Sequence, residues 1–386
     1  MTKDAVKQPI RVLVVGPHPP PNGGIATVVR NLLQLRFDER FELRLFDVRR
    51  AAHPEGLVMR AANAVTARLP PRGRWALAGR LLASDFREAL DREQPDVIHV
   101  HTSYGYGFWA STKLIRLAKA RGIASILHFH ASSMDEFYDA MGAFGRREFE
   151  RAIRLADHWI ALSRSWQRWY QPFVVPERLH VVPNCIDWNA FQTTEEREHA
   201  DGPRILFVGM QFARRKGVHD LIAAVPRVLD EFPNARFLLV GEDDEGVETS
   251  IDVPPGVRAA LEFVGNLGRE EIIRAYHGAT MLVLPAYREG MPMVMLEAMA
   301  SGCPVICSAI NAIPEVVEDG ENGVLIRPGD PAGLADAMLR LLRDGELRER
   351  IGRRASEFIR RHHDVSVQQD LLETIYAAAG AAQVQR

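Results

Sequence analysis

The sequence predicts an α/β protein built from two parallel sheets, each covered by helices. Short apolar segments alternate with longer amphipathic segments along the chain, which is the pattern of strands and helices in parallel sheets. The alternation occurs in two successive sets, and 386 residues with 47% apolar side chains suffice for two domains of ordinary size. We therefore predict two Rossmann-like domains that face each other across a cleft.

Twelve apolar segments are candidate strands, six in each half of the chain. In the first half they span residues 10–16, 41–47, 97–102, 124–130, 158–163 and 179–184. In the second half they span residues 204–209, 235–241, 261–265, 280–285, 304–309 and 323–327. The main candidate helices span residues 25–35, 218–231 and 365–379. Ligands of open parallel sheets bind at the carboxyl ends of the strands, so we expect functional residues in the loops that follow these segments.

The stretch between the two sets of strands is polar and acidic and has no periodicity, which indicates a linker. We therefore predict a first domain over residues 1–187, a linker over 188–203 and a second domain over 204–362. Residues 363–386 contain the last candidate helix.

Composition excludes several classes of protein. The three cysteines are an odd number without the spacing of metal ligands, which indicates core residues in a reducing compartment. Apolar stretches stay shorter than the about 18 residues of a membrane span, and the first candidate strand is too short for a signal peptide. We therefore expect a cytoplasmic protein. No recognition motif or basic tract interleaved with aromatics is present, so nucleic acid is not an expected partner.

A candidate anion site lies in the segment REGMPMVMLE, residues 288–297, which follows the strand candidate at 280–285. Pro292 suits the first turn of a helix, because the missing N–H of proline costs nothing there. The free amides that follow Gly290 would belong to Met291, Met293 and Val294. Such amides at a helix start favour a phosphate group.

Two glutamates in this segment, Glu289 and Glu297, lie eight positions apart around the helix start. A carboxylate near a bound phosphate is repelled unless it accepts hydrogen bonds, so the hydroxyl groups of a sugar are natural partners for both. The segment alone leaves an equal alternative, in which Glu289 caps the helix electrostatically and Glu297 faces solvent.

The longer segment REGMPMVMLEAMASGCPVICSAINAIPEVVEDGENGVL, residues 288–325, resembles the donor-site signature of the retaining glycosyltransferases of family 4. The glutamate spacing is accompanied by matching glycines, by Pro304 and by the turn at Pro314. The resemblance implies the two-domain GT-B fold, with the last helix crossing back to the first domain. It also implies that Glu289 contacts the donor sugar and that Glu297 holds the ribose of the nucleotide.

A basic turn, Arg214-Arg215-Lys216-Gly217, precedes the helix candidate at 218–231. Basic side chains at such a turn suit a diphosphate leaving group, because they stabilise the charge that develops on the departing oxygen. The resemblance assigns this role to Arg215 and Lys216, with Arg214 as a substitute. Many relatives carry the arginine directly after the strand's glycine, where this chain has Met210, so the choice of arginine stays open. A solvated basic turn is the alternative.

Two glycine-containing regions complete the expected donor site. Gly23 and Gly24 follow the first strand and let a ligand approach the backbone, although the loop lacks the dinucleotide-binding pattern. The resemblance implies that this loop closes over the donor phosphates; an ordinary surface turn is the alternative. It also implies that the nucleotide base lies near Gly241 and Val264, at the ends of two strands. The alternative is that both are ordinary strand ends without a binding role.

Four histidines lie on two strands, in pairs whose side chains share one face of the sheet. For His99, His101 and His128 we expect an ordinary core role. The resemblance places His130, at the end of its strand, near the donor sugar, where it would help to stabilise positive charge at the anomeric carbon. A four-histidine metal site is the alternative, but no acidic partner lies at suitable spacing, so we expect no metal and no cofactor.

Charge is divided unevenly between the halves of the chain. Residues 1–190 contain 27 lysines and arginines against 19 acidic residues, and residues 191–386 contain 21 against 31. The first half is therefore expected to face something anionic. Leu57–Ser84 contains arginines but no acidic residue, so this stretch can rest on an anionic membrane surface or be a solvated face.

The expected function is that of a retaining glycosyltransferase of cell-surface polysaccharide or glycoconjugate synthesis. The resemblance implies a UDP- or GDP-sugar donor and a glycan or lipid-linked acceptor, the latter reached at the inner face of the cell membrane. Two alternatives remain: a GT-B enzyme that epimerises or hydrolyses a nucleotide sugar, and a catalytically silent nucleotide-binding scaffold.

Overall fold

The computed structural model describes residues 8–19, 23–48, 71–192, 202–211, 214–243 and 246–384. The chain forms two compact units, which we call unit 1 and unit 2. Unit 1 comprises Met1–Pro183 and Gln368–Arg386, and unit 2 comprises Asn184–Val367. Each unit is a six-stranded parallel sheet with helices packed on it, which confirms the predicted fold class.

The sheet of unit 1 has the strand order β2-β1-β3-β4-β5-β6. Its strands are β1 (Ile10–Gly16), β2 (Phe41–Asp47), β3 (Val97–Thr102), β4 (Ala124–Phe129), β5 (His158–Ala161) and β6 (Leu179–Val181). The helices between them are α1 (Gly24–Gln34), α2 (Pro71–Glu93), α3 (Tyr106–Lys119), α4 (Met134–Asp139), α5 (Ala143–Ile153) and α6 (Arg164–Tyr170). Strands β3 and β4 are buried along their whole length, because helices cover both of their faces.

One face of this sheet is covered by the last helix of the chain, α14 (Val365–Val384). Buried residues of α14 pack with strand residues such as Val12, Val14 and Ile126 in one core cluster; they are Leu372, Ile375, Tyr376 and Ala379. The opposite face packs in a second core cluster that includes Phe86 of α2, Phe108 of α3 and Phe149 of α5.

The sheet of unit 2 has the strand order β9-β8-β7-β10-β11-β12. Its strands are β7 (Arg204–Gln211), β8 (Arg236–Glu242), β9 (Leu261–Gly265), β10 (Met281–Leu284), β11 (Val305–Ser308) and β12 (Val324–Ile326). Its helices are α7 (Val218–Leu229), α8 (Val247–Ser250), α9 (Pro255–Ala260), α10 (Arg269–Gly278), α11 (Met293–Ala300), α12 (Pro331–Arg343) and α13 (Gly345–His362).

The strand order of unit 2 reverses between β7 and β10. From β7 the chain proceeds to β8 and β9 on one side, and β10, on the other side of β7, leads on to β11 and β12. The chain therefore continues from β7 and from β10 towards opposite edges of the sheet, and the crevice where open sheets of this type bind their ligands lies at this point. The predicted basic turn follows β7, and the predicted glutamate segment follows β10.

The beginning of the predicted linker is packed within unit 2. Residues Trp188–Phe191 form a single 3-10 turn in which Phe191 is buried and Trp188 Nε1 donates to Ser356 Oγ at 3.0 Å. Residues 193–201 of that linker and residues 57–70 of the predicted membrane stretch lie outside the described residues. Within the part of the chain that is described, no helix combines the length and hydropathy that a membrane span requires.

Candidate functional site

Two side chains singled out in the sequence meet in unit 2. Lys216 ends the 3-10 turn Arg214–Lys216 after β7, and Glu289 lies in the loop after β10. Lys216 Nζ donates to Glu289 Oε1 in a direct ion pair. Only 17% of the lysine side chain and 9% of the glutamate side chain are exposed. The crevice where the strand order reverses therefore holds a nearly buried pair of opposite charges.

The backbone ties the two loops together. Gly217 adopts a left-handed conformation, with φ 76°, between the 3-10 turn and α7. A Cβ atom on Gly217 would lie 1.9 Å from the carbonyl oxygen of Pro285, so no other residue fits. The amide of Tyr287 donates to the carbonyl oxygen of Arg215 at 2.8 Å. These contacts fix the position of Lys216 relative to the loop that carries Glu289.

Two asparagines that the sequence analysis did not identify support the glutamate loop. Asn311 follows β11 with a positive φ of 47°, and its Nδ2 donates to the carbonyl oxygen of Glu289 at 2.5 Å. Asn184 is buried, and its Nδ2 donates to the carbonyl oxygen of Met291 at 2.8 Å. A polar residue just after a strand candidate is the only sequence signal that could have identified Asn311.

The helix start predicted at Pro292 is present but shifted by one residue. Pro292 is the N-cap rather than a residue of the first turn, because its ψ of 122° is extended, and α11 begins at Met293. Among the described residues no side chain caps this helix start. Gly290, Met291 and Met293 are buried, and Val294 is half-buried. The first amides of α11 thus remain available to an anion.

Glu297 lies in the second turn of α11 and is half-buried. Tyr276, at the end of α10, is fully buried, and its hydroxyl donates to Glu297 Oε2 at 2.9 Å. Burial, and then the charge of Glu297, raise the pKa of Tyr276 well above its ordinary value. The tyrosine is therefore a neutral donor that orients the carboxylate, a role that the sequence alone did not indicate.

The arginines of the basic turn are exposed, unlike the lysine that follows them. They line a cleft of about 340 Å³ whose remaining lining residues are Gly217, His219, Asp220 and Tyr287. The hydroxyl of Tyr287 donates to Asp220, and this hydrogen bond is the main cause of a raised Tyr287 pKa. Both Arg214 and Arg215 belong to this cleft, so its lining does not distinguish between them.

The strand ends expected to hold the nucleotide base lie side by side. Strands β8 and β9 are neighbours in the sheet, and Asn266 Nδ2 donates to Glu242 Oε1 at 2.7 Å just beyond their ends. Gly241 has a φ of 146°, which favours glycine, and Val264 is 41% exposed. The exposed side chain of Val264, beside a glycine that has no side chain, offers an apolar surface to a planar base.

The three cysteines are core residues, as the sequence predicted. Cys185, Cys303 and Cys307 are all buried, and none of them forms a disulfide bond within the described part of the chain. Burial, together with the charge of Glu289, raises the pKa of the Cys307 thiol well above its ordinary value. Cys307 is therefore an uncharged packing residue and not a nucleophile.

In unit 1, the predicted glycine loop forms the start of α1. Gly23 is the N-cap of this helix, and its carbonyl oxygen accepts from the amide of Thr27 at 2.8 Å. Apart from its chain neighbours, no described residue has an atom within 4 Å of the position that a Cβ on Gly24 would take. Among the described residues no side chain caps α1, so the loop offers open space and free amides at the carboxyl end of β1.

Four histidines of unit 1, those on or directly after β3 and β4, form one cluster on the sheet face that α14 covers. His99 Nδ1 lies 2.8 Å from the hydroxyl of Tyr376, and His99 Nε2 lies 3.1 Å from His128 Nδ1. His101 Nδ1 lies 2.9 Å from His130 Nε2. The expectation of satisfied core residues holds for His99 only: Nε2 of both His101 and His128 is buried without a hydrogen-bond partner among the described residues.

His130 follows β4 directly and is half-buried. Its amide donates to the carbonyl oxygen of Thr102 at 2.9 Å, which keeps it beside the end of β3. Burial lowers the pKa of His130 to about 3, so its imidazole is neutral at neutral pH. A neutral ring whose Nε2 faces His101 presents its Nδ1 edge to other partners.

Models of known protein families match both halves of the chain. A family model described as Glycosyltransferase Family 4 matches residues 22–189, and one described as Glycosyl transferases group 1 matches residues 202–344. A glycogen synthase of Mycobacterium tuberculosis is 29% identical over 294 residues, which cover 74% of this chain and 69% of that protein. A phosphatidyl-myo-inositol mannosyltransferase of Mycobacterium leprae is 29% identical over 286 residues, covering 73% of each.

Solved structures share the fold. A sucrose-phosphate synthase from Thermosynechococcus elongatus superposes with a TM-score of 0.75 at 20% identity, covering 97% of this chain and all of that one. The Anabaena protein HepE in complex with UDP superposes with a TM-score of 0.70 at 18% identity, covering 95% of this chain and all of that one.

Proposed function

This chain belongs to the family 4 glycosyltransferases of the GT-B fold, and we propose that it transfers a sugar from a nucleotide-diphosphate donor to an acceptor hydroxyl with retention of the anomeric configuration. The observation that carries the proposal is the pairing of Lys216 with Glu289 beside the uncapped start of α11. The cation and the free amides suit the diphosphate of a donor, and the carboxylate suits the hydroxyl groups of its sugar.

Donor binding would replace the internal ion pair by two better-matched contacts. The diphosphate carries more negative charge than one carboxylate, so it attracts Lys216, an arginine of the basic turn and the first amides of α11. Glu289 then accepts hydrogen bonds from sugar hydroxyls, while Asn311 and Asn184 hold its loop in place. In the donor-free protein the same lysine stabilises the buried carboxylate, so the site is formed before the substrate arrives.

The ribose and the base of the donor would lie along the carboxyl ends of the strands of unit 2. Glu297, oriented by Tyr276, accepts hydrogen bonds from the ribose hydroxyls. The base lies near Gly241 and Val264, where an apolar surface is exposed. We propose a UDP- or GDP-sugar, and the UDP bound to the similar fold of HepE supports the uridine form.

The chemical step that we propose occurs on one face of the sugar. The acceptor oxygen bonds to the anomeric carbon while the bond from that carbon to the phosphate oxygen breaks, and the acceptor proton passes to the departing phosphate oxygen. Lys216 and an arginine stabilise the charge on the diphosphate, and the neutral ring of His130 hydrogen-bonds the sugar. No metal is required, because protein cations perform the neutralisation. Trapping a glycosylated side chain with a slow donor analogue would contradict this step.

The acceptor that we propose is a glycan or lipid-linked hydroxyl in cell-surface polysaccharide or glycoconjugate synthesis. The mannosyltransferase relative, named for a phosphatidyl-inositol acceptor, supports a lipid-linked molecule. The excess of basic residues in the first half of the chain fits an anionic membrane surface. A cytoplasmic enzyme bound peripherally at the inner face of the membrane is consistent with both observations.

Ligand screening and product analysis test the proposal together. UDP- and GDP-sugars are screened by thermal unfolding, because any ligand that binds the folded chain raises its midpoint. The stabilising donor is then incubated with and without lipid-linked acceptors. Acceptor-dependent release of the nucleoside diphosphate supports transfer. Equal turnover without acceptor identifies an epimerase or a hydrolase, and binding without turnover identifies a silent scaffold.

A further inference from the structure

We propose that His99, His101 and His128 of unit 1 form a binding site for one divalent transition-metal ion of the Zn²⁺ type. The three residues are buried in the face of the sheet that α14 covers. One ring nitrogen from each lies within 4.8 Å of one ring nitrogen from each of the others. The site is additional to the transfer reaction, which uses protein cations in unit 2.

The strand register brings these rings together. His101 and His128 are directly opposite each other on the parallel strands β3 and β4. His99 lies two residues before His101 and shares its face of the sheet, since strand residues alternate. The ring centroids of His99 and His101 are 4.4 Å apart, and those of His101 and His128 are 5.0 Å apart. The backbone of two central strands therefore preorganises the set.

An unpartnered nitrogen points to a missing ligand. Nε2 of His101 is buried without a hydrogen-bond partner among the described residues. A buried polar atom that lacks a partner loses its hydration without compensation. The pKa of each of the three rings is lowered by burial, so at neutral pH they are uncharged and keep a lone pair for a metal.

The outer contacts have the arrangement that metal-binding histidines require. His99 Nδ1 lies 2.8 Å from Tyr376 Oη, and His101 Nδ1 lies 2.9 Å from His130 Nε2. Such contacts fix the tautomer, leave His101 Nε2 without a partner among the described residues and leave His99 Nε2 facing His128 Nδ1. His99 Nε2 and His128 Nδ1 are 3.1 Å apart. Two nitrogens at opposite ends of a tetrahedral N–metal–N angle, each about 2.0–2.1 Å from the ion, lie about 3.3 Å apart.

The ligand set selects the ion. Imidazole nitrogens suit Zn²⁺, Co²⁺, Ni²⁺ and Cu²⁺, whereas Mg²⁺ and Ca²⁺ prefer oxygen ligands. Three neutral histidines leave a fourth position for water or hydroxide, as in other sites with three histidine ligands. A bound hydroxide would reduce the charge that the site must hold, which matters because no carboxylate belongs to the set.

The experiment is a titration of the full-length chain, stripped of metal by a chelator, with Co²⁺ as a spectroscopic probe. We expect one tight Co²⁺ per chain, the intense visible absorption of a tetrahedral ion, and a higher midpoint of thermal unfolding with Zn²⁺. Absence of the absorption band with the folded chain overturns the proposal, because it would mean that the rings only form a hydrogen-bonded row.

Variants of the histidines test whether the Co²⁺ absorption band arises from the proposed site. His128→Asn and His101→Asn should each weaken Co²⁺ binding by more than tenfold, and Tyr376→Phe should weaken it by about tenfold through loss of the outer contact. The control is His158→Asn, which alters another pair of histidines in unit 1, His158 and His180, whose ring nitrogens are 3.2 Å apart. Equal loss in the control would place the ion elsewhere and overturn the assignment.

A measurement on the unmodified chain covers the case in which the variants do not fold. X-ray absorption of the Zn²⁺-loaded chain should show three imidazole ligands with Zn–N distances of about 2.0 Å. A shell of oxygen ligands, or a single imidazole, contradicts the proposed site whatever the variants do.

Discussion

The two units keep their buried polar groups stable in opposite ways. In unit 2 the crevice holds full charges, Lys216 and Glu289, which neutralise each other. In unit 1, strand β3 and the end of β4 carry imidazoles that burial keeps uncharged. A buried charge needs a partner, whereas a buried neutral ring needs only hydrogen bonds. Unit 2 is therefore suited to stabilising a charged leaving group, and unit 1 to contacting uncharged hydroxyls.

Removing the cation of unit 2 should have the largest effect on stability. Lys216→Met leaves Glu289 buried and unpaired, which we expect to lower the free energy of unfolding by about 3–5 kcal/mol. The free energy of unfolding is measured with denaturant for this variant and for the double variant Lys216→Met/Glu289→Gln. The double variant should recover part of the loss, because it no longer buries an unpaired charge. Lys119→Met is the control, because this lysine is exposed and its 3.8 Å ion pair with Asp157 contributes about 1 kcal/mol or less. A loss no larger than the control's would mean that the pair contributes little.

Removing the anion should instead affect catalysis. Glu289→Gln leaves Lys216 free to be hydrated through its exposed fraction, so the chain should stay folded. We expect kcat/KM for transfer to fall about 10²–10³-fold, the usual effect of removing one preorganised polar group from an active site. Steady-state kinetics with the identified donor measure it, and Glu318→Gln, an exposed carboxylate of the same unit, is the control. Unchanged kinetics would mean that Glu289 takes no part in the transfer.

The pH dependence of stability tests whether burial keeps an imidazole of unit 1 uncharged. Burial, and then the nearby charges of His180 and Arg178, lower the pKa of His158 to about 4, against the opposing effect of Asp157. The unfolded side chain takes up its proton near pH 6.5, so this contribution is present above pH 6.5 and is lost as the pH falls towards 4. The loss is at most about 3 kcal/mol.

His158→Gln should flatten this part of the stability curve, measured by thermal unfolding between pH 7 and pH 4. His362→Gln, a change at an exposed histidine, should leave the slope of the parent chain unchanged. A parent chain whose stability does not change across this range would show that His158 is protonated in the folded protein.

The smallest effect should separate the two arginines of the basic turn. Arg215→Ala should lower kcat/KM about tenfold, the value of one charge-assisted hydrogen bond to phosphate, and Arg214→Ala should lower it less. The opposite order assigns the role to Arg214. Equal and negligible effects would mean that the turn is only solvated and that Lys216 acts with the amides of α11.

The sequence was sufficient for the fold class, and it pointed to two segments that lie together in the candidate site. Strands β1, β2, β3 and β9 have the predicted bounds, because apolar runs between turn residues are local signals. The glutamate segment and the basic turn were found because each is contiguous, and the structure adds their direct contact.

The supporting residues could not be predicted in the same way. Tyr276 lies 21 residues before its partner Glu297, and Asn184 lies 107 residues before Met291. Such pairs depend on which helix packs beside which loop, and a single sequence holds no local signal for that. The bare nitrogens of His101 and His128 were missed for a similar reason, since only the register of β3 against β4 makes the rings meet.

Helix α14 has a consequence for the order in which the chain matures. Its first residues, Val365–Val367, belong to unit 2, and the remainder belongs to unit 1, where Leu372 and Tyr376 cover the sheet that begins with β1. During synthesis, the core around β1 stays open until α14 has been made, because α14 covers that face of the sheet. Unit 2 needs only the first residues of α14, so it can complete its fold before unit 1 does. A chain cut just before α14 would leave Val12 and Val14 uncovered.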